Sequence, residues 1–361
     1  MPMLADLVDA VIGVDTHRDT HQVELAAPNG APIATCSIPN TSAGHAQLLT
    51  WIGEHAPGAR IAASIEGTRS YGRGLARTLT TAGLTVIECE QPNRKARRGK
   101  GKSDQIDAHL AVLAALQQPA DRLPTPRADG DREALRILLC ARNELATAAT
   151  ANTNRLRALL RDGDDHDRAL ARGRLSETTL HELARRNSPR NATREHVVRY
   201  AEIRRLAHAL NTHRRELKNN AAQLDDIVND VAPALISQPG IGAVTAAQVI
   251  VSFSHVGRCH NEAAFAKLAG TSPLEASSGR TTRHRLNRNG DRALNSAIHT
   301  IALTRMRCCP TTRAYTARRI AEGKTTREVR RCLKRYIARQ LYRCLTNTMA
   351  TPEPTDRPKA A

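Results

Sequence analysis

The sequence predicts an α/β amino-terminal domain, a long helical middle and a mainly helical carboxy-terminal domain. Three observations carry that expectation. Short apolar runs alternate with helical patterns over the first 116 residues. Two long stripes with helical spacing follow, and the last third holds a glycine-punctuated pair of short helices and a basic amphipathic run.

In order along the chain, Val8 to Asp15, His21 to Ala27 and Ala31 to Ile38 read as strands joined by turns, and three strands so close together imply an antiparallel meander. A helix is expected from Ser42 to His55, a strand from Ile61 to Ile65, a helix from Tyr71 to Ala82, a strand from Thr85 to Glu88 and a helix from Ser103 to Leu116. A meander continued by right-handed crossovers is the order a ribonuclease-H-like domain requires. From Asp131 to Asp162, apolar residues from Leu135 to Leu159 predict one long helix, broken by the acidic, glycine-containing Arg161 to Arg168. A second stripe runs from Ile203 to Ile227. The pair predicts an antiparallel hairpin or coiled coil, although Arg142, Asn152 and His213 interrupt its seam. Pro239-Gly240-Ile241-Gly242 separates two short helices between Leu235 and Phe253. Lys324 to Arg343 carries eight Lys or Arg around Val329, Leu333, Ile337 and Leu341. The expected division is a catalytic domain at 1–125, a helical linker and oligomerisation region at 126–230, a carboxy-terminal domain at 231–350 and a disordered tail at 351–361.

Lys and Arg number 54 against 35 Asp and Glu, a net charge of +19, and the isoelectric point is about 10.4. Such an excess points to a polyanionic partner, nucleic acid above all. A membrane surface is disfavoured because aromatic residues are only 2% of the chain and no apolar run is long enough to span a bilayer. MPMLADLVDA lacks the basic start and apolar run of a signal peptide, so a cytoplasmic location is expected. The eight cysteines form no C-x-x-C pair and read as reduced core residues.

Asp15 follows an apolar strand, Glu66 ends the strand expected beside it, and Asp104 and Asp107 lie one helical turn apart. Each alone could be a surface or helix-end acid. Gathered by this topology, the four would repel one another unless divalent cations neutralised them, and oxygen donors favour magnesium, two ions of which suit phosphate displacement. His17 and His21 have H-x-x-x-H spacing, but on a turn and strand it does not put both on one face, so zinc is disfavoured; His17 is still placed to lie near the acids. Six basic residues, Arg94, Lys95, Arg97, Arg98, Lys100 and Lys102, precede the last of these helices and suit phosphate contact as well as a solvated loop. Gly240 and Gly242 could let backbone N–H groups approach a phosphate, or simply pack a turn. Arg280, Arg283, Arg285, Arg288 and Arg292 surround a Ser-Gly pair and could hold a phosphate.

The spaced acids, the PGIG segment and EASSGRTTRHRLNRNGDRALNSAIHTIAL (Glu275 to Leu303) together resemble the insertion-sequence transposases of the one-ten family and the related Piv-type DNA invertases. The resemblance implies a RuvC-like catalytic domain with Asp15, Glu66, Asp104 and Asp107 at its acidic positions. It implies a carboxy-terminal transposase domain whose Ser-Gly serine attacks DNA; the PGIG element, taken by itself, resembles a helix-hairpin-helix or a packed helical turn. Ser278 matches that serine, with Ser277 adjacent. It further implies donor and target DNA as substrates and a structured guide RNA; the two long helical stripes separately suggest a homo-oligomer, dimer or tetramer, or else packing within one chain. Two other readings fit parts of the same sequence. A RuvC-like junction resolvase would use the acids without the serine, and a non-catalytic nucleic-acid-binding protein would need only the charge and the coil.

Overall fold

The computed structural model describes residues 2–89, 104–275, 284–285, 287 and 289–349. The chain divides into two units, Met1–Ala128 and Asp129–Ala361. The expected disordered tail lies outside the described residues.

In the first unit the elements run β1 (Ala10–Thr16), β2 (Thr20–Ala26), β3 (Pro32–Pro39), α1 (Ser42–His55), β4 (Ile61–Glu66), α2 (Arg73–Thr81), β5 (Thr85–Cys89) and α3 (Asp104–Leu116). The strands form one sheet in the order β3-β2-β1-β4-β5. β1–β2 and β2–β3 are antiparallel, as a meander requires, whereas β1–β4 and β4–β5 are parallel. Alternation along β1 assigns its two faces. Ala10, Ile12 and Val14 join Leu48, Ile52, Leu75 and Leu79 in one core, under α1 and α2. Val11 joins Ala62, Ile87, Val112 and Ala115 in the other, under α3. Asp15 shares the parity of Val11, which puts its carboxylate on the α3 face. Gly13 lies between them. A Cβ there would come within 2.1 Å of the Ala108 carbonyl oxygen, so only glycine lets α3 lie this close to β1.

The second unit is mainly helical. It comprises α4 (Asp131–Arg161), α5 (Asp165–Arg172), α6 (Glu177–Arg185), α7 (Arg194–Val231), α8 (Pro233–Ile236), α9 (Ala243–Phe253), α10 (Glu262–Leu268), β6 (Leu274–Glu275), β7 (His284–Arg285), α11 (Arg292–Cys308), α12 (Pro310–Ala321) and α13 (Thr326–Thr348). The long helices α4 and α7 pack along each other and end in two separate cores. At one end Leu156, Leu160, Ile203 and Leu206 meet Leu180 and Leu183 of α6. At the other, Leu135, Leu224 and Val228 join Ile250, Phe253, Phe265, Ile298, Ile301, Ile337 and Leu341.

Between the cores the seam is polar and internally paired. Arg142 donates to the Leu217 carbonyl at 3.0 Å, Asn220 donates to the Leu138 carbonyl at 2.9 Å, and Asn152 meets His213 at 3.2 Å. The polar residues that interrupt the stripe therefore meet partners across the hairpin within one chain.

Two sequence expectations need correction. The acidic segment after Arg161 does break the long helix, but it also starts a new one, because the Asp164 carboxylate accepts the Asp167 N–H and caps α5. The cysteines are not uniformly core residues. Cys89 and Cys259 are buried, whereas Cys140 and Cys308 are exposed; all eight are free thiols. Cys140 falls on the outer face of α4, where the apolar pattern around it did not predict exposure.

Candidate metal centre and nucleic-acid-binding residues

The sheet and α3 bring Asp15, Asp104 and Asp107 to one place, with Glu66 at the end of the neighbouring strand. Asp15, 7% exposed, sits at the end of β1 on the face that α3 covers. The parallel register runs through Val14 and Ile65, so the next residues along, Asp15 and Glu66, end neighbouring strands on the same face. The Thr16 hydroxyl donates to the Glu66 carbonyl at 2.8 Å and ties the two strand ends together. From α3, Asp104 reaches the site from a mostly exposed position and Asp107 from a buried one. His17 Nε2 lies 3.2 Å from Asp15 Oδ2 and 3.4 Å from Asp104 Oδ1. Ligand atoms of Asp15, His17 and Asp104 all fall within 4.8 Å of one another.

Burial pushes the Asp15 carboxyl above the usual range, and the nearby Asp107 and Asp104 carboxylates push it further; His17 opposes the shift. A buried acid beside two others is the environment a divalent cation relieves, and carboxylate oxygens are hard donors suited to one. The residues present fit a metal ion. His17 lies beside the acids, as its position two residues after Asp15 suggests, and reaches both Asp15 and Asp104. His21 points elsewhere: it is fully buried and stacks on His45 at 6.0 Å between ring centroids.

A second carboxylate–histidine contact holds α3 in place. Glu24, paired with Gly13 across β1 and β2, meets His109 Nδ1 of α3 at 2.6 Å. Both partners flank the point where Gly13 admits the helix, so close approach and polar contact act on the same turn of α3 that carries Asp107.

In the second unit the PGIG turn is locked from behind. Gly240 has φ +76°, and a Cβ there would crowd the Ile301 carbonyl and the Arg305 side chain. Arg305, buried, donates to the Pro239 carbonyl at 2.7 Å, to Gln340 Oε1 at 2.7 Å and to Gln238 Oε1 at 3.3 Å. Gly242 faces open space, but its N–H donates to Thr245 Oγ1 at 3.1 Å. Of the two glycines, Gly240 serves packing and Gly242 stands at the free start of α9. The segment Asn289 to Asn295 is largely structural as well. Asp291 caps α11, accepting from the Ala293 and Leu294 N–H groups, and also accepts from Ser252 Oγ at 2.7 Å. Asn295 donates to the Ala269 carbonyl at 2.6 Å. Arg292 and Arg285 remain exposed, the latter on β7, which pairs with β6.

A family model described as Transposase, of the DEDD type, matches residues 12–163. A second, described as Transposase IS116/IS110/IS902 family, matches residues 232–317. The chain belongs to the IS110 transposase family. It is also similar to an insertion element IS110 uncharacterized 43.6 kDa protein of Streptomyces coelicolor, 27% identical over 269 residues. That match covers 63% of this chain and 66% of the relative, just under two thirds of its length. Within this IS110-family chain the first matched range contains Asp15, His17, Glu66, Asp104 and Asp107. The second contains Gly240, Gly242, the Ser-Gly segment and Arg305. Arg94, Lys95, Arg97, Arg98, Lys100, Lys102, Ser277, Ser278, Arg280, Arg283 and Arg288 lie outside the described residues. Among the described residues, no helix is long and apolar enough to cross a membrane.

Proposed function

We propose that this chain cuts and rejoins DNA strands during transposition of an insertion element, acting in the cytoplasm. The observation that carries the reading is the convergence of Asp15, His17 and Asp104 within 4.8 Å, beside a buried Asp107, in a transposase-family chain. Asp15, Glu66, Asp104 and Asp107 would hold magnesium, with two ions expected from the number of carboxylates. When bound, such ions supply a positive field on the scissile phosphate and on the oxygen that leaves it. His17, within reach of both Asp15 and Asp104, orients the two carboxylates toward a common centre.

The serine of the carboxy-terminal Ser-Gly pair, Ser278 or its neighbour Ser277, is the proposed nucleophile. Its Oγ forms a bond to phosphorus as the bond to the 3′ oxygen breaks, and the proton lost from the hydroxyl is balanced by the one the 3′ oxygen gains. The arginines around it, Arg280 to Arg292, would offset charge on the phosphate. The PGIG turn, read as a helix-hairpin-helix, adds a backbone contact at the free start of α9. Guidance by a structured RNA and assembly into a dimer or tetramer complete the proposal. The long α4–α7 hairpin is the element through which copies would associate.

Recombination of a plasmid carrying the element ends tests the reading. Asp15→Asn and Ser278→Ala should each lower strand exchange by about a hundredfold or more. Retained exchange in Asp15→Asn removes the metal site, and retained exchange in both Ser277→Ala and Ser278→Ala removes the serine but leaves a RuvC-like nuclease.

A further inference from the structure

We propose that the concave surface between α11 and the first two turns of α13 is a binding site for the phosphodiester backbone of nucleic acid. This rests on the nucleic-acid reading above and adds a site to it. A cavity of about 900 Å³ there is lined by His299 of α11 and by Arg327, Glu328, Arg330, Arg331 and Lys334 of α13. The four cations fall at i, i+3, i+4 and i+7, one stripe of the helix. The stripe through Val329, Leu333, Ile337 and Leu341 is buried, so the cationic stripe is what α13 presents to the cavity.

The arrangement is unfavourable for a helix on its own. Cations three and four residues apart repel one another, and cations near a helix start oppose its dipole. Among the described residues, Glu328 is the single acid lining the cavity. It is already engaged as a cap, accepting the Thr325 N–H at 2.9 Å, and it lies 3.9 Å from Arg331. Lys334 Nζ, half-buried, is held by the neutral amide of Asn295 at 2.5 Å, and burial lowers its pKa. His299 is held below its usual pKa by burial and then by the Lys334 and Arg330 charges. A chain of phosphates entering the cavity would reverse each of these costs: it would screen the repelling cations, complement the helix start and provide Lys334 with a charged partner. A single small anion would meet only part of the stripe, whereas a polymer backbone repeats its charge along it.

The test is binding of the full chain, in chelator so that no cleavage intervenes, to a short DNA duplex and to an RNA hairpin across a salt series. Arg327→Gln/Arg331→Gln alters two exposed side chains and should leave circular dichroism unchanged and the thermal midpoint no lower, since it relieves part of the repulsion along the stripe. Arg172→Gln/Arg174→Gln, which removes the same charge from α5 and the turn after it, is the control. The cavity variant should bind severalfold more weakly than the control, with a salt slope lower by about 0.9 for each duplex phosphate that is no longer neutralised. Arg327→Lys/Arg331→Lys should restore binding. A loss confined to the duplex assigns the site to DNA, and a loss confined to the hairpin assigns it to RNA. Equal affinity of cavity variant and control on both probes overturns the site alone. Failure of the unaltered chain to bind either probe overturns the site together with the nucleic-acid reading.

Discussion

Asp15 shows how one residue's chemistry follows from its burial. With its pKa raised, its charged form is disfavoured in the folded chain relative to the unfolded one. Its contribution to stability therefore falls as pH rises past the ordinary aspartate value of 3.8. In chelator at neutral pH, Asp15→Asn should melt at a higher temperature than the unaltered chain. With magnesium at a hundredfold excess over its dissociation constant the order should reverse. The unaltered chain then gains about 2.7 kcal/mol and the variant little, a difference calorimetry can read. His21 and His45 carry the opposite sign. Both have pKa values lowered, chiefly by burial and for His21 also by the charge of His45. A depressed histidine contributes stability that is present above its ordinary value of 6.5 and is lost as pH falls through and below it. Acidification from pH 7.5 towards 5 should lower the melting point of the chain, and His45→Gln should flatten that dependence. An unchanged slope in His45→Gln would mean that other groups set it.

At the scale of elements, the placement of α3 depends on Gly13. The backbone carbonyl of Ala108 cannot yield as a side chain could, so Gly13→Ala should push α3 off the sheet. The expected loss is about 3 kcal/mol in denaturant titration, with strand exchange reduced further because Asp104 and Asp107 move with the helix. Helical spacing made α1, α4, α7 and α13 legible, since it is a local signal; the caps Thr41 and Thr325, which fix the starts of α1 and α13, went unread. Helices α5 and α6 were not legible. They are short, so too few apolar repeats mark them in the sequence, and packing against α4 and α7 adds to their caps Asp164 and Ser176.

For the whole molecule, an excess of 19 positive charges predicts binding governed by counterion release. If the chain covers roughly six to ten phosphates, affinity for DNA should fall about a thousandfold or more between 50 and 200 mM salt, measured by fluorescence anisotropy. A flat salt response would separate the basic composition from DNA binding. The charge is not spread as simple surface, however. Arg132 and Arg305 are buried among carbonyls and side chains, so part of the basic composition holds the second unit together.

The amino-acid sequence by itself determined the order of strands and helices in the amino-terminal unit, the acidic positions and the family resemblance through the Ser-Gly segment. These rest on alternation, helical spacing and motif, all of which are written in neighbouring residues. Only the tertiary structure decided that His17 joins Asp15 and Asp104, that Glu24 and Gly13 together seat α3, that Arg305 locks the PGIG turn, and that cations of α13 face a cavity beside His299. Each of those facts joins residues distant in the chain, and their meeting depends on sheet order and on which side chains leave room for a neighbouring backbone.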